Sequence, residues 1–250
     1  MNIERVRELV NAPEFEMNLT KVDKNGIAMD AVNVISPSGV GFNVYIGINN
    51  EEKVAELIKK TMASLPSKDD LLNGYDLMNY EAVKEKIIPM VHNRVVENAA
   101  YVDYLDLKVY FRIVLKEDEK GMQSIVIKAD LAKQWDVTPE QLLEQAKANV
   151  RDNFEVGHFM GTMTYITSKN RTYGGSAILF PELLKEKGFN GKYFIVPSSI
   201  HEVLVVEPRE DLTYEDMTKM VQSVNTTQVR PEEVMSDHPY VYNDGIITCE

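Results

Sequence analysis

The chain is poor in cysteine, with one residue of this type, Cys249, among 250. A single cysteine cannot form a disulfide within the chain or supply a thiolate cluster to a metal. Because a chain without disulfides suits a reducing compartment, we expect a cytoplasmic protein. The first five residues also lack the basic start and apolar core of a secretory signal peptide.

Long apolar runs and an excess of basic residues are absent too. No apolar run approaches the roughly 20 residues that a membrane helix needs, so we expect no membrane association. The formal net charge is -12, from 27 basic and 39 acidic residues. A surface that grips a phosphate backbone is basic, so this composition disfavours direct nucleic-acid binding.

Neither a metal nor a cofactor is indicated by any motif. The four histidines lie far apart in the sequence, with no His-x-x-x-His pair. A site built from His201, Glu202, Asp237 and His238 can be imagined in space, but no spacing argues for it. We therefore expect no metal and no cofactor.

Two apolar runs near the carboxyl end, Tyr193–Val196 and Val203–Val206, flank a short polar centre. Neither run alternates, which is typical of strands buried on both faces. The polar residues between the runs are Ser198, Ser199, His201 and Glu202. This junction of two buried strands is the first candidate for a functional site.

The first third of the chain predicts a meander with a helix. Asn25-Gly26 between apolar stretches is a strong hairpin signal, because both central residues of such a turn need positive φ. The strands around it are predicted at Phe15–Val22, Ile27–Ile35 and Phe42–Ile48. An apolar stripe in Glu51–Met62 predicts the helix.

The middle of the chain predicts a helix, a long strand and a second helix. Asn79 can cap a helix from Tyr80 to about Asn98, with a kink or break at Pro89. Residues Leu105–Leu115 are apolar at every second position, which predicts a half-buried strand. Thr138 begins a well-capped helix that runs to about Val150.

The last third predicts two more strands, Met163–Ile166 and Ala177–Phe180, and a helix at Tyr214–Asn225. The loop Lys169–Gly175 has two basic side chains and two glycines and could hold an anion. It lacks the spacing of a phosphate-binding loop. We favour a hairpin loop whose glycines supply positive φ.

Strands and helices do not alternate strictly, and several connections are hairpins. This pattern predicts an α+β fold with mixed, largely antiparallel sheets. Three segments are predicted: 1–66, a meander with a helix; 67–156, a helix, a long hairpin and a capped helix; and 157–250, an α+β unit around the central strands. They can form one continuous domain.

Several motifs together carry a resemblance to a known family. They are Tyr173-Gly174-Gly175-Ser176-Ala177, Pro197-Ser198-Ser199-Ile200-His201-Glu202-Val203, Val224-Asn225 and Ser236-Asp237-His238. The chain resembles the uncharacterised bacterial domain-of-unknown-function family 5688 over essentially its whole length. The resemblance implies a shared fold and a bacterial, phage- or plasmid-linked origin. It supplies no activity and no catalytic residue.

Two functional hypotheses follow. The first is a non-enzymatic binding or regulatory protein that acts on another protein, for example an inhibitor in conflict between a host and a mobile element. Its expected working surface is Ser198, Ser199, His201, Glu202, Asn225 and Asp237.

The alternative is a serine hydrolase that uses Ser198 or Ser199 with His201. A nucleophilic serine needs a base within hydrogen-bond reach. On an extended strand Ser199 and His201 would lie about 7 Å apart on one face, and no Gly-x-Ser-x-Gly elbow is present. A purely structural role, in which serine and proline form the turn, fits the same residues.

Overall fold

The computed structural model describes residues 1–63, 65, 74, 76–118, 121–159, 163–210 and 212–249. The chain folds into two compact units, Met1–Tyr75 and Asp76–Glu250. In the part of the chain that the structure describes, no helix is long and apolar enough to cross a bilayer. The architecture is α+β with antiparallel strand pairs, as the sequence predicts.

The first unit is a three-stranded antiparallel sheet with two helices. Its elements in chain order are α1 (Ile3–Val10), β1 (Glu16–Lys24), β2 (Ile27–Ile35), β3 (Gly41–Tyr45) and α2 (Glu51–Met62). The strands pair in the order β1-β2-β3. Val32, Val54 and Ile58 are fully buried in the core between sheet and helices. The predicted meander and its helix are confirmed.

The turn between β1 and β2 forms at Asn25-Gly26, where the sequence places it. Asn25 has φ 53° and Gly26 has φ 78°, so both occupy the left-handed region that this turn requires. The Gly26 amide also donates to the Asp23 carboxylate over 2.9 Å. Local chemistry therefore favours the turn at this position.

The second unit begins with a four-stranded sheet and its helices. The elements are α3 (Tyr80–Val83), β4 (Ile87–His92), β5 (Tyr101–Tyr104), β6 (Leu107–Asp118), β7 (Gly121–Val126), α4 (Ala129–Gln134) and α5 (Pro139–Val150). Strand β6 pairs with β4 along one edge and with β5 and β7 along the other. The side chains on one face of β6 are fully buried at alternate positions, as predicted: Leu107, Val109, Phe111 and Ile113.

Two details of this region correct the sequence prediction. The predicted helix from Tyr80 to Asn98 is wrong, because α3 has four residues and a single 3-10 turn leads from it into β4. The Asn149 side chain donates to the carbonyl oxygens of Lys84 (2.7 Å) and Ile87 (2.8 Å), which a continuing helix would have bonded internally. The long strand also begins at Leu107 rather than Leu105, which lies in the turn with φ 56°.

Pro89 lies inside β4, opposite Phe111 of β6. Proline has no N–H to donate, so this position cannot complete a ladder on both edges. Its carbonyl oxygen instead accepts a hydrogen bond from the Ser176 hydroxyl over 2.8 Å. All six residues of β4 are buried, which explains why the strand shows no alternation in the sequence.

The carboxyl-terminal half forms a six-stranded antiparallel sheet. Its strands are β8 (Phe154–Phe159), β9 (Met163–Ser168), β10 (Lys192–Ser199), β11 (Glu202–Val206), β12 (Tyr240–Asn243) and β13 (Ile246–Thr248), with helices α6 (Pro181–Glu186) and α7 (Tyr214–Thr227). The strand order is β13-β12-β10-β11-β9-β8. The two apolar runs of the sequence are thus the two central strands, β10 and β11.

The predicted strand Ala177–Phe180 is wrong. Residues Gly174–Leu179 form a 3-10 helix, and every residue from Tyr173 to Phe180 is buried. We call this stretch the buried segment. Its apolar character reflects burial inside the unit. In an apolar run this short, hydrophobic periodicity cannot distinguish a buried strand from a buried helix.

Candidate functional site

Ser198, Ser199, His201 and Glu202 lie together at the turn between β10 and β11; we call them the polar tip. A bulge shifts the strand register between Pro197 and Ser199. The Ser198 hydroxyl donates to a Glu202 carboxylate oxygen over 2.9 Å, and the His201 amide donates to the Ser199 hydroxyl over 3.1 Å. All four side chains are partly exposed, whereas Ile200 between them is buried.

The backbone of the polar tip is fixed by three elements distant in sequence. The Ile200 amide donates to the Glu233 carbonyl over 2.9 Å, and the Gly175 amide donates to the Ile200 carbonyl over 3.0 Å. The Thr167 hydroxyl donates to the His201 carbonyl over 2.8 Å. The tip is therefore a turn whose backbone groups are already bonded to the body of the unit.

The buried segment presses against the polar tip through two glycines. A β-carbon at Gly174 would lie 2.2 Å from the His201 carbonyl oxygen and 2.5 Å from the Thr167 α-carbon. One at Gly175 would lie 2.9 Å from the Ile200 carbonyl oxygen. Neither glycine has positive φ, so the prediction of a loop with left-handed glycines is wrong. These glycines permit close backbone approach instead.

The His201 ring points toward a carbonyl oxygen and a carboxylate. Its Nδ1 lies 2.8 Å from the Thr172 carbonyl oxygen, which can only accept, so Nδ1 carries a proton. Its Nε2 lies 3.8 Å from a Glu233 carboxylate oxygen, and an Arg230 guanidinium nitrogen lies 3.7 Å from that same oxygen. The part-exposed ring thus joins a small network of charged groups at the surface.

The polar tip does not assemble a serine–histidine pair in this geometry. Among the described residues, no hydrogen bond joins the Ser198 or Ser199 hydroxyl to the His201 ring; each hydroxyl is bonded as given above. A nucleophile and its base are expected within about 2.6–3.2 Å of each other, although apo structures are often looser.

Asn225 and Asp237 pair with each other. The Asn225 amide donates to the Asp237 carboxylate over 3.0 Å and to the Ser236 carbonyl over 2.9 Å. This contact ties the carboxyl-terminal part of α7 to the segment before β12. In the described chain, no hydrogen bond or ion pair links Asn225 or Asp237 to the polar tip.

A second polar cluster centres on Asp106 in the turn between β5 and β6. His238 Nε2 lies 2.9 Å from one Asp106 oxygen, and the Tyr240 hydroxyl donates to the other over 2.8 Å. Burial favours the neutral acid, but the hydrogen bonds from His238 and Tyr240 outweigh it and lower the pKa of Asp106. Burial and the carboxylate raise the pKa of the Cys249 thiol, which disfavours the reactive thiolate.

Sequence reasoning missed several partners of the candidate residues. Thr172, Arg230 and Glu233 surround His201, and Asp106 binds His238, across 132 positions of sequence. These contacts join residues that are distant in sequence, so no short sequence motif predicts them. Among the described residues, no group of three or more histidine, cysteine, aspartate or glutamate side chains is placed to hold a metal ion.

Comparison with known families gives one result. The model of a family described as "Family of unknown function (DUF5688)" matches residues 3–160 and 155–244. The chain belongs to this family. No curated protein and no solved structure matches it. Membership in DUF5688 confirms the resemblance drawn from the sequence motifs, and it assigns no chemistry to the polar tip.

Proposed function

We propose that this DUF5688 protein is a non-enzymatic binding or regulatory protein whose polar tip contacts another protein. The observation that carries the proposal is the combination of exposure and fixation at Ser198–Glu202. The side chains reach solvent, while the backbone is bonded to Gly175, Thr167 and Glu233. A surface already fixed in shape loses little conformational entropy when a partner binds.

The chemistry of the polar tip supports recognition of a polar protein surface. It offers two serine hydroxyls, an imidazole and a carboxylate within five consecutive residues. The paired Asn225 and Asp237 add an amide and a second carboxylate as the outer part of the proposed surface. Such groups specify a partner because a wrong partner leaves them desolvated and unpaired.

The more specific form of the proposal places the protein in the bacterial cytoplasm. There it acts as an inhibitor of a host protein, in the interest of a phage or plasmid. The support is the origin implied by the family resemblance, the single cysteine and the acidic composition. Nucleic acid and membrane are not the proposed partners.

Site-specific photo-crosslinking in the native bacterium tests the proposal. A photoreactive amino acid replaces Ser199 in the full-length chain, and a control chain carries it at Gln134, an exposed position on α4. We expect Ser199 to yield a discrete protein adduct that mass spectrometry identifies, with no such adduct from Gln134. The same adducts from both positions, or none from Ser199, would count against the polar tip as a binding surface.

A further inference from the structure

In the described part of the chain, helix α7 covers only part of one face of the six-stranded sheet. Helix α7 packs there on Phe194, Val196 and Val241 of β10 and β12, through its own Met217 and Val221. Neighbouring strands lie about 4.8 Å apart, so six strands span about 24 Å between their outer axes. One helix covers about 10 Å of that width. A single helix therefore leaves room for a second one on this face.

On this face Leu204 of β11 also packs against the α7 cluster, so the exposed part belongs to β9 and β8. The pairing places Leu204 of β11 opposite Tyr165 of β9, and Tyr165 opposite Gly157 of β8. Side chains at paired positions share a face, so these residues lie on the α7 side with Met163 and Phe159, which pair with each other. Met163 is 41% exposed and Phe159 57% exposed.

On the opposite face of β9 and β11, Ile166, Val203 and Val205 are at most 5% exposed. Apolar residues thus occupy both faces of these strands, and on the α7 face the described part of the chain leaves Met163 and Phe159 exposed. A β-carbon at Gly157 would lie 2.3 Å from the Tyr165 ring. The Tyr165 ring therefore lies over Gly157, and with Met163 and Phe159 it forms the floor of this surface.

Helix α7 supplies a wall beside this floor. Its Tyr214 and Asn225 bond to the segment that leads into β12. At 100° per residue, Met220 and Val224 lie on the other flank, the β11 side. They are 55% and 44% exposed. We call the surface formed by Phe159, Met163, Tyr165, Leu204, Met220 and Val224 the trough.

The charged side chains that face the trough from its own elements are acidic. Among the described residues of β8, β9, β11 and α7 they are Glu155, Glu202 and Asp216; Arg209 lies outside these elements, in the loop between β11 and α7. Isolated exposed apolar side chains are ordinary, but a continuous apolar surface with a polar rim is typical of a binding site. An acidic rim selects a partner that places basic side chains beside its apolar ones.

We propose that the trough binds an amphipathic α-helix of a partner protein, with an apolar stripe against the sheet and lysine or arginine along its flanks. The bound helix completes the layer that α7 begins, in the helix-in-groove mode of recognition. The trough and the polar tip share no residue, although Glu202 of the tip is one of the charges around the trough. The trough is tested without reference to the function proposed for the tip.

The first test uses a synthetic probe and nuclear magnetic resonance. The full-length chain is labelled with ¹³C at its methionine methyl groups, and a 14-residue peptide with leucine on one helical face and lysine on the other is added. We expect the Met163 and Met220 signals to shift and the signal of Met78, which is 53% exposed outside the trough, to stay in place. Equal shifts at Met78, or no shift at millimolar peptide, would overturn the proposal.

Two variants with the same charge change separate apolar contact from charge attraction. Met220→Asp places a carboxylate in the trough, and Leu19→Asp places one at a comparably exposed apolar position in β1. Charge attraction alone would make both variants bind the lysine peptide more tightly. We expect Met220→Asp to weaken binding at least tenfold and Leu19→Asp to leave it unchanged or tighter. Equal behaviour of the two variants would contradict the trough as the site.

A third variant and a sedimentation measurement complete the design. Val224→Ser removes a wall contact without adding charge, so it reports on the trough even if Met220→Asp disturbs folding; we expect a threefold or greater loss. A peptide with glutamate in place of lysine should bind at least tenfold more weakly. Sedimentation of the protein alone shows whether it forms dimers. If it does, and Met220→Asp dissociates them, a second copy occupies the trough and the basic-helix proposal is wrong.

Discussion

Gly174 lies against the His201 carbonyl group, and a β-carbon on residue 174 would stand only 2.2 Å from the carbonyl oxygen. The two nearest neighbours of that missing atom are backbone atoms of Thr167 and His201, which cannot rotate away as a side chain would. The contact links the buried segment to the polar tip. It makes the position of the tip depend on an element that is itself fully buried.

We predict that Gly174→Ala destabilises the protein by more than about 2 kcal/mol, because it overpacks a rigid backbone contact. Gly175→Ala should cost less, since one of its close neighbours is the flexible Met235 side chain at 3.0 Å. Gly41→Ala is the control, with its nearest neighbour at an ordinary 3.5 Å. Urea unfolding gives the free energies, and equal values for Gly174→Ala and Gly41→Ala would refute the contact.

His92 should make stability depend on pH. The ring is 1% exposed and stacks on Tyr110 with centroids 4.8 Å apart. Burial, with the nearby Arg94 charge, lowers the pKa of His92 to about 3. The unfolded state takes up a proton near pH 6.5 that the folded state refuses, so stability is fully present above pH 6.5 and declines as the pH falls toward 3.

We expect His92 to remove up to about 3 kcal/mol of unfolding free energy between pH 7 and pH 4, at 1.36 kcal/mol per pH unit. His92→Gln abolishes this titration and leaves every other titratable group in place. The difference in unfolding free energy between wild type and variant should therefore shrink as the pH falls. A difference that stays constant from pH 7 to pH 4 would show that His92 titrates normally in the fold.

Asp106 should contribute stability in its charged form. The pKa of Asp106 is lowered in the fold, so its contribution is present above the unfolded value near 3.8 and is lost as the pH falls through the folded value. The pair with His238 is part-exposed, so we expect a coupling energy of about 0.5–1 kcal/mol at pH 6. A double-mutant cycle with Asp106→Asn and His238→Gln measures it. A coupling energy of zero at pH 6 would show that the Asp106 and His238 side chains do not interact.

The hydrolase alternative makes a different prediction from the binding proposal. A catalytic serine or histidine, changed singly to alanine, abolishes activity while the protein stays folded. We expect Ser198→Ala, Ser199→Ala and His201→Ala to remain folded and the wild type to show no turnover of short-chain ester substrates above background. Ester hydrolysis by the wild type that His201→Ala and one serine variant both abolish would establish the enzyme instead.

The parts of the fold that follow from local chemistry could be predicted from the sequence. The Asn25-Gly26 turn needs two left-handed residues, and the Thr138 capping box satisfies the first amides of α5. Both signals lie within a few residues and are insensitive to the rest of the chain. The alternation along β6 is equally direct, because one of its faces is buried at each second position.

The secondary-structure predictions are wrong in segments that are buried on all sides, because such segments show no hydrophobic periodicity. Ile87–His92 and the buried segment are apolar without a period, so their state is decided by distant contacts. Asn149 ends the helical turn before β4, and Ser176 bonds to Pro89, in both cases over more than 60 positions of sequence. Pro89 is a local sign against an unbroken helix.

Only part of the candidate site can be predicted from the sequence, because the rest depends on contacts between residues that are distant in the chain. The four residues of the polar tip are neighbours in the chain, so their grouping follows from the two flanking strands. Their partners Thr172 and Glu233 come from other elements. The sequence groups Asn225 and Asp237 with the tip but gives no sign of the hydrogen bond that joins them to each other.

The central claim is that the polar tip is a protein-binding surface, and one affinity comparison tests it most directly. The partner captured at Ser199 is purified and titrated by calorimetry against wild type, Ser199→Arg and Gln134→Arg. The two variants gain the same side chain, one at the tip and one on α4. We predict that Ser199→Arg weakens binding at least tenfold and Gln134→Arg less than twofold. Equal affinities for all three folded proteins would contradict the account.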